Sequence, residues 1–269
     1  MMKYQNPALL IFILLYGFQL NAQDDHQNHP ATSQEIIISI GNDSIAGYGL
    51  FASGAGKKET VLLLHGLPGN ERNFDVAQEL RRNGRNVIFF NYRGTWGSQG
   101  EFMYSNCIED VTKVLDYFSV PAHADRYNVK SDSFVLFGHS MGGGVALISG
   151  AEDPRVKKIA IYSPYNVALA ARDPQSLTGA RNHLKSLFML KVDPDRFIGE
   201  LIDRTDEYNP LTYQKALSHK KLLIFDENER NKEWIDQLDG AQYILMKTDH
   251  AFSDKRLEMI DRVSEWLEE

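Results

Sequence analysis

An α/β fold, an eight-stranded mostly parallel sheet flanked by helices, is predicted for this 269-residue chain by three observations. Short apolar runs alternate with longer amphipathic ones. Four successive strand-like runs are apolar throughout, as strands buried on both faces must be. One of these runs ends in Gly138-His139-Ser140-Met141-Gly142, a glycine-flanked serine between a strand and a helix. The predicted strands span 35–40, 45–52, 60–65, 86–92, 133–138, 158–163, 220–226 and 242–247. The first two, joined by Gly41-Asn42-Asp43-Ser44, read as an antiparallel hairpin at the sheet edge. Helices are predicted at 73–83, 105–118, 141–150, 231–238 and 253–267, the last with core spacing at Leu257, Ile260, Val263 and Leu267. Strands 6 and 7 lie too far apart for a simple crossover, so residues 164–219 read as a small helical lid inserted after strand 6. It has helical patterns over 176–190 and 196–202, broken by Asp193-Pro194 and Asn209-Pro210.

Composition narrows the function. A chain that is 43% hydrophobic and 24% charged can bury a sizeable core, and nothing in it suggests a disordered protein. A net charge of −7 without any Lys/Arg-rich run argues against nucleic acid as a partner. Lys3 precedes an apolar run over 8–20, which gives way through Asn21-Ala22 to Gln23-Asp24-Asp25. Residues 1–22 therefore read as a signal peptide cleaved after Ala22, 23–34 as a linker and 35–269 as the folded domain. On this reading the mature protein is secreted or periplasmic and keeps no stable membrane anchor. Cys107 is the only cysteine, so no intramolecular disulfide forms, and its apolar neighbours mark it as a structural residue.

The turn at Ser140 carries the chemistry. A turn tight enough to expose Ser140 Oγ has no room for side chains two positions before and after, where Gly138 and Gly142 stand. A serine hydroxyl needs a base, and His250, in the loop between the last strand and the last helix, is the candidate. The base needs an orienting acid, and the end of the preceding strand, Phe225-Asp226-Glu227-Asn228-Glu229, offers three. Glu229 is favoured because it falls in the loop beyond the strand end; Asp226, closing the strand, is the alternative. Backbone N–H groups of Met141 and of Leu67, in the loop His65-Gly66-Leu67-Pro68-Gly69-Asn70, are the candidate donors to an oxyanion. Trp96 and the lid residues Leu187 and Phe188 are candidate substrate contacts, and Leu184, Met189, Leu190, Phe197, Ile198 and Leu201 line an acyl pocket or bury the lid.

With these residues the chain resembles the α/β-hydrolase superfamily from about residue 35 to its C-terminus. HGLPGN, the elbow GHSMGG, an acid after the next-to-last strand and DHAFSD follow the superfamily's order of Ser, acid, His. NYRGTWGSQGEF is similar to a loop of its serine-esterase and serine-peptidase branches, including the prolyl-oligopeptidase-like group, where it shapes the site floor; this makes Arg93 and Trp96 structural or substrate-facing. FDENE departs from the usual H-G-x-x-D of those relatives: the histidine and glycine are absent and Glu229 stands in place of the aspartate. The resemblance implies a serine hydrolase with a Ser140–His250–Glu229 triad, an acyl-serine intermediate, a small-molecule ester or amide substrate and no metal or organic cofactor. A carboxylester is preferred, because the chain lacks the large N-terminal domain with which the oligopeptidase relatives gate peptides. A small-peptide serine peptidase is the alternative, and a non-catalytic binding or sensor protein on the same fold is the reading from another class.

Overall fold

The computed structural model describes residues 28–269. The expected signal peptide, 1–22, and the first part of the expected linker lie outside the described residues. All eight predicted strands form, as β1 (Thr32–Ile40), β2 (Asp43–Phe51), β3 (Lys58–Leu64), β4 (Asn86–Phe90), β5 (Val129–His139), β6 (Val156–Tyr162), β7 (Lys221–Asp226) and β8 (Ala241–Leu245). They lie in one sheet in the order β1-β2-β4-β3-β5-β6-β7-β8. β1 and β2 are the expected edge hairpin, and β2 pairs antiparallel with β4; all later neighbours are parallel. β1 starts three residues before the predicted limit because its ladder to β2 continues out to Thr32 opposite Phe51.

Strand parity divides the core in two. Leu62, Ile88, Leu136, Ile159 and Leu222 face one layer, under α2 (Tyr104–Ser119) and α4 (Met141–Ala151). Their sequence neighbours Val61, Val87, Val135, Ala160 and Leu223 face the other, under α1 (Phe74–Arg82) and α10 (Arg256–Glu268). Both sets are buried, which is why these strands read as unbroken apolar runs rather than alternating ones. In α10 the buried stripe is Met259, Ile260, Val263, Trp266 and Leu267, whereas Leu257 is 76% exposed. Of the four predicted core positions Ile260, Val263 and Leu267 are buried, and Leu257 alone, in the first turn, lies on the outer face.

The predicted helix over 231–238 is a 3-10 turn, Glu229–Asn231, followed by the single-turn α9 (Lys232–Ile235). Short α3 (Pro121–Arg126) was not predicted. Between β6 and β7 run α5 (Val167–Ala171), α6 (Pro174–Ser186), α7 (Pro194–Asp203), a 3-10 turn and α8 (Gln214–Leu217). Asp193-Pro194 separates two helices as expected and starts the second: Asp193 Oδ1 accepts from the N–H groups of Asp195 and Arg196, with proline at the first helical position. Asp173-Pro174 repeats the device at the start of α6. α7 is tied to the body, because Glu200 accepts from the Ser105 N–H at 2.8 Å and from the Tyr208 hydroxyl at 2.7 Å. Phe197 also stacks on Phe102 at 5.4 Å.

The loop after β4 is fixed from within. Asp110, fully buried on α2, accepts from Arg93 Nε at 2.6 Å and from the Arg93 backbone N–H at 2.7 Å. Burial pushes the Asp110 carboxyl up to about 6 even with Arg93 against it. Asp110→Ala removes the partner of a largely buried guanidinium that retains Glu109 at 2.5 Å. It is expected to lower stability by about 3 kcal/mol, the low end for breaking a buried pair, read as an earlier midpoint in urea unfolding.

Candidate active site

Ser140 sits at the junction of β5 and α4 with φ 54° and ψ −121°, a left-handed conformation that non-glycine residues avoid. Packing enforces it. A Cβ on Gly142 would lie 2.2 Å from the Leu64 carbonyl oxygen, and one on Gly138 would lie 2.4 Å from the Gly142 carbonyl oxygen. The Ser140 N–H donates to the Tyr162 carbonyl at 3.1 Å, and the Ser140 carbonyl accepts from Gly143 and Tyr165 N–H groups. The turn is thus stitched to β6 as well as to its own helix.

The loop after β3 passes directly over the serine. A Cβ on Gly66 would lie 2.9 Å from Ser140 Cβ, so only glycine lets this backbone come so near. Leu67 and Met141 both border the cavity that opens at Ser140. His65 does not reach the cavity. Its Nε2 accepts from the Tyr92 N–H and its Nδ1 donates to the Gly66 carbonyl at 2.7 Å, which fixes the neutral tautomer. Burial holds its pKa down at about 4. It braces the loop.

The loop 246–255 presents His250. Asp249 Oδ1 accepts from the N–H groups of Ala251 and Ser253, Phe252 is fully buried against Tyr162, and Arg256 bridges the Ala251 carbonyl to Asp75. The His250 carbonyl accepts from Ser163 Oγ at 2.9 Å and from His139 Nε2 at 3.0 Å. His139 stacks on Tyr162 at 4.3 Å, and burial first, then the neighbouring His250, lowers its pKa to about 3. It is a neutral donor that positions the backbone of His250, while the His250 ring stays half exposed.

The acid facing His250 is neither of those predicted. Glu227 Oε1 lies 3.3 Å from His250 Nδ1. Glu229 is exposed in the 3-10 turn, and Asp226 is buried at the end of β7 with Oδ1 accepting from Asn231. Strand parity is the reason. Leu223 and Phe225 face the layer that holds Phe252, and Glu227 continues that alternation toward the His250 loop; Asp226 continues Leu222 and Ile224 toward Trp234. This alternation was present in the sequence and would have selected Glu227. Burial opposes its charge, but its own N–H, Asp226, Ser163 and His250 outweigh burial and hold the Glu227 carboxyl below its usual range.

Ser140, His250 and Glu227 border one cavity of about 540 Å³, walled by Val167, Leu177, Ala180, Leu184, Phe197 and Leu201. Leu184, Phe197 and Leu201 therefore do both things expected of the inserted helices, lining the pocket and packing into the main core. The three predicted substrate contacts do not border this cavity. Phe188 is 91% exposed, Leu187 ends α6 beside it, and Trp96 is occupied elsewhere. Trp96 Nε1 donates to the Pro68 carbonyl at 2.6 Å and its N–H to the Met189 carbonyl, joining the loop over Ser140 to the inserted segment. Tyr165 and Arg230 border the cavity and were not predicted, having no motif around them.

Sheet order, elbow and the placement of the loops define an α/β-hydrolase. A family model described as serine aminopeptidase, S33, matches residues 55–250, and the chain belongs to that family. A serine hydrolase-like protein of Dictyostelium discoideum is 25% identical over 223 residues, 81% of this chain and 53% of that protein. The sn-1-specific diacylglycerol lipase ABHD11 of Xenopus tropicalis is 29% identical over 120 residues, 43% of this chain and 34% of that protein. The chain thus spans about half the length of the first and about a third of the second. Among solved structures, Est1E from Butyrivibrio proteoclasticus superposes with a TM-score of 0.65 at 16% identity, covering 87% of this chain and 97% of its own. The Pyrococcus furiosus esterase Pf2001 does so with a TM-score of 0.62 at 20% identity, covering 90% and 91%. At these identities the likeness is one of fold.

Gly66→Ala is expected to push the loop off Ser140 and to slow modification of Ser140 by a fluorophosphonate about a hundredfold, the cost of a lost oxyanion donor. Circular dichroism should show the fold unchanged.

Proposed function

We propose that the chain is a serine hydrolase that cleaves a carboxylic ester of a small molecule through an acyl-serine intermediate. One observation carries this reading: a serine held at φ 54° borders the same cavity as a histidine whose Nδ1 faces a carboxylate held ionised. Ser140 Oγ attacks the carbonyl carbon while its proton passes to His250 Nε2, the ring nitrogen that Glu227 leaves free. The N–H groups of Leu67 and Met141 donate to the oxyanion, and the imidazolium is stabilised by Glu227. The carbon–oxygen bond then breaks and His250 returns the proton to the leaving alcohol. Water attacks the acyl carbon in turn, giving a proton to His250, and Ser140 leaves with that proton as the acid is released.

The apolar cavity walls support an apolar acyl or alcohol group. The family's description as serine aminopeptidase favours an amide as the second reading. An aminopeptidase must meet the α-ammonium of its substrate with an anion, and Glu227 is the one carboxylate among the described residues bordering the cavity. It is already engaged by His250 and by Arg230 at 3.1 Å. That charge balance, with the esterase and lipase relatives, supports the ester. We also propose export of the chain, on the apolar run over 8–20 that ends near Ala22. N-terminal sequencing of extracellular or periplasmic protein is expected to begin at Gln23.

Intact-mass measurement after fluorophosphonate treatment is expected to show one adduct on the wild type and none on Ser140→Ala. A folded wild-type protein without an adduct would favour the binding-protein reading. Against aryl esters, Glu227→Ala is expected to lower kcat by about four orders of magnitude, and Glu229→Ala to leave it within about twofold. The reverse order would return the acid to Glu229.

A further inference from the structure

The reaction above leaves one buried ionisable group beside the site unused. Asp226 is fully buried at the end of β7, adjacent to Glu227, whose side chain is 8% exposed. Asp226 Oδ1 accepts from Asn231 Nδ2 at 3.2 Å, and Asn231 is itself fixed by the Trp234 indole N–H at 3.2 Å. The second oxygens, Asp226 Oδ2 and Glu227 Oε2, are both buried and neither has a donor while both groups are ionised. The two carboxyls are nevertheless within hydrogen-bonding contact of each other. Two buried carboxylates cannot both accept across one contact, and leaving both oxygens bare costs desolvation twice. A single proton between them satisfies both.

The surroundings decide which carboxyl carries it. Glu227 faces His250, the Arg230 guanidinium and Ser163. Asp226 faces the neutral Asn231 from the 3-10 turn, the Tyr243 phenol from β8, over whose ring the Lys232 ammonium sits, and the Glu227 carboxylate itself. We propose that Asp226 is a positioning residue whose carboxyl O–H donates a hydrogen bond to Glu227 and so holds the carboxylate that faces His250. The proposal rests on the assignment of Glu227 above. Burial, followed by the hydrogen bond with Glu227, pushes Asp226 up to about 7, consistent with its keeping the proton. The arrangement resembles other carboxyl pairs that share a proton because like charges in contact cannot both ionise.

The sign of the pH dependence follows. Below about 7 the donor is in place; above it Asp226 ionises, the hydrogen bond is lost and two anions oppose each other. A carboxyl whose folded-state pKa is raised contributes stability at low pH that is lost as pH rises through that value. Asparagine at 226 keeps a donor of the same shape that never ionises.

The test is kcat against pH on an aryl ester for wild type, Asp226→Asn, Asp226→Ala and Glu227→Gln, with melting temperature measured across the same range. The wild type is expected to show an alkaline fall in kcat with a midpoint near 7 that Asp226→Asn lacks. Asp226→Ala is expected to lose about tenfold in kcat at pH 6, and Asp226→Asn to recover most of it. Melting of the wild type should fall relative to Asp226→Asn from about pH 4 to about 7 and level off above. Equal pH profiles for Asp226→Asn and wild type would overturn the proposal while leaving Glu227 in place. An inactive Asp226→Asn beside an active Glu227→Gln would overturn both and make Asp226 the acid. If Asp226→Ala fails to fold, the Asp226→Asn profile and the melting series still decide.

Discussion

The close approach of three backbone segments at the C-terminal edge of the sheet governs the rest of the site. The end of β3, the turn after β5 and the first turn of α4 converge so tightly that Gly138, Gly142 and Gly66 can carry no side chain there. The strain at Ser140, of order 1–3 kcal/mol, persists because hydrogen bonds from β6 and α4 over-determine the turn. Burial of the two apolar layers on either face of the sheet supplies the rigidity that holds this geometry. Ser140, Leu67 and Met141 consequently border the same cavity.

Around that turn, burial sorts the ionisable groups by role. His65 and His139 are enclosed and held neutral, where each uses its ring N–H to fix a loop carbonyl. His250 stays half exposed, and Glu227 stays ionised because hydrogen bonds outweigh its burial. Asp226, a residue away, is enclosed against Asn231 and the Glu227 carboxylate, and burial first, then that contact, pushes its carboxyl up to about 7. Neighbours in sequence thus take opposite charge states because their partners differ, His250 and Arg230 on Glu227 against neutral Asn231 on Asp226.

Much of this was legible in the chain. The eight strands, the hairpin edge, the elbow at Ser140 and the loop carrying His250 all follow from local signals: apolar runs, glycine spacing and position after the last strand. Glu229 was favoured by treating the segment after β7 as free loop, although extending the strand alternation by one residue points to Glu227, the carboxylate that faces His250. Asp193-Pro194 marks the boundary between two inserted helices from its own chemistry, an aspartate cap followed by a first-turn proline. Leu187 and Phe188 were placed in the pocket on size and apolarity alone, which cannot tell a pocket wall from an exposed turn, whereas Trp96, open in the sequence between a structural and a substrate-facing role, braces Pro68 and Met189.

By itself the sequence determined the fold class, the strained serine and the loop that presents the histidine, because each depends on residues close together in the chain. Only the tertiary structure decided which carboxylate meets His250, which side chains of the inserted helices wall the cavity and where the neutral carboxyl sits. Those are contacts between segments far apart in sequence, fixed by sheet register and packing direction rather than by residue type.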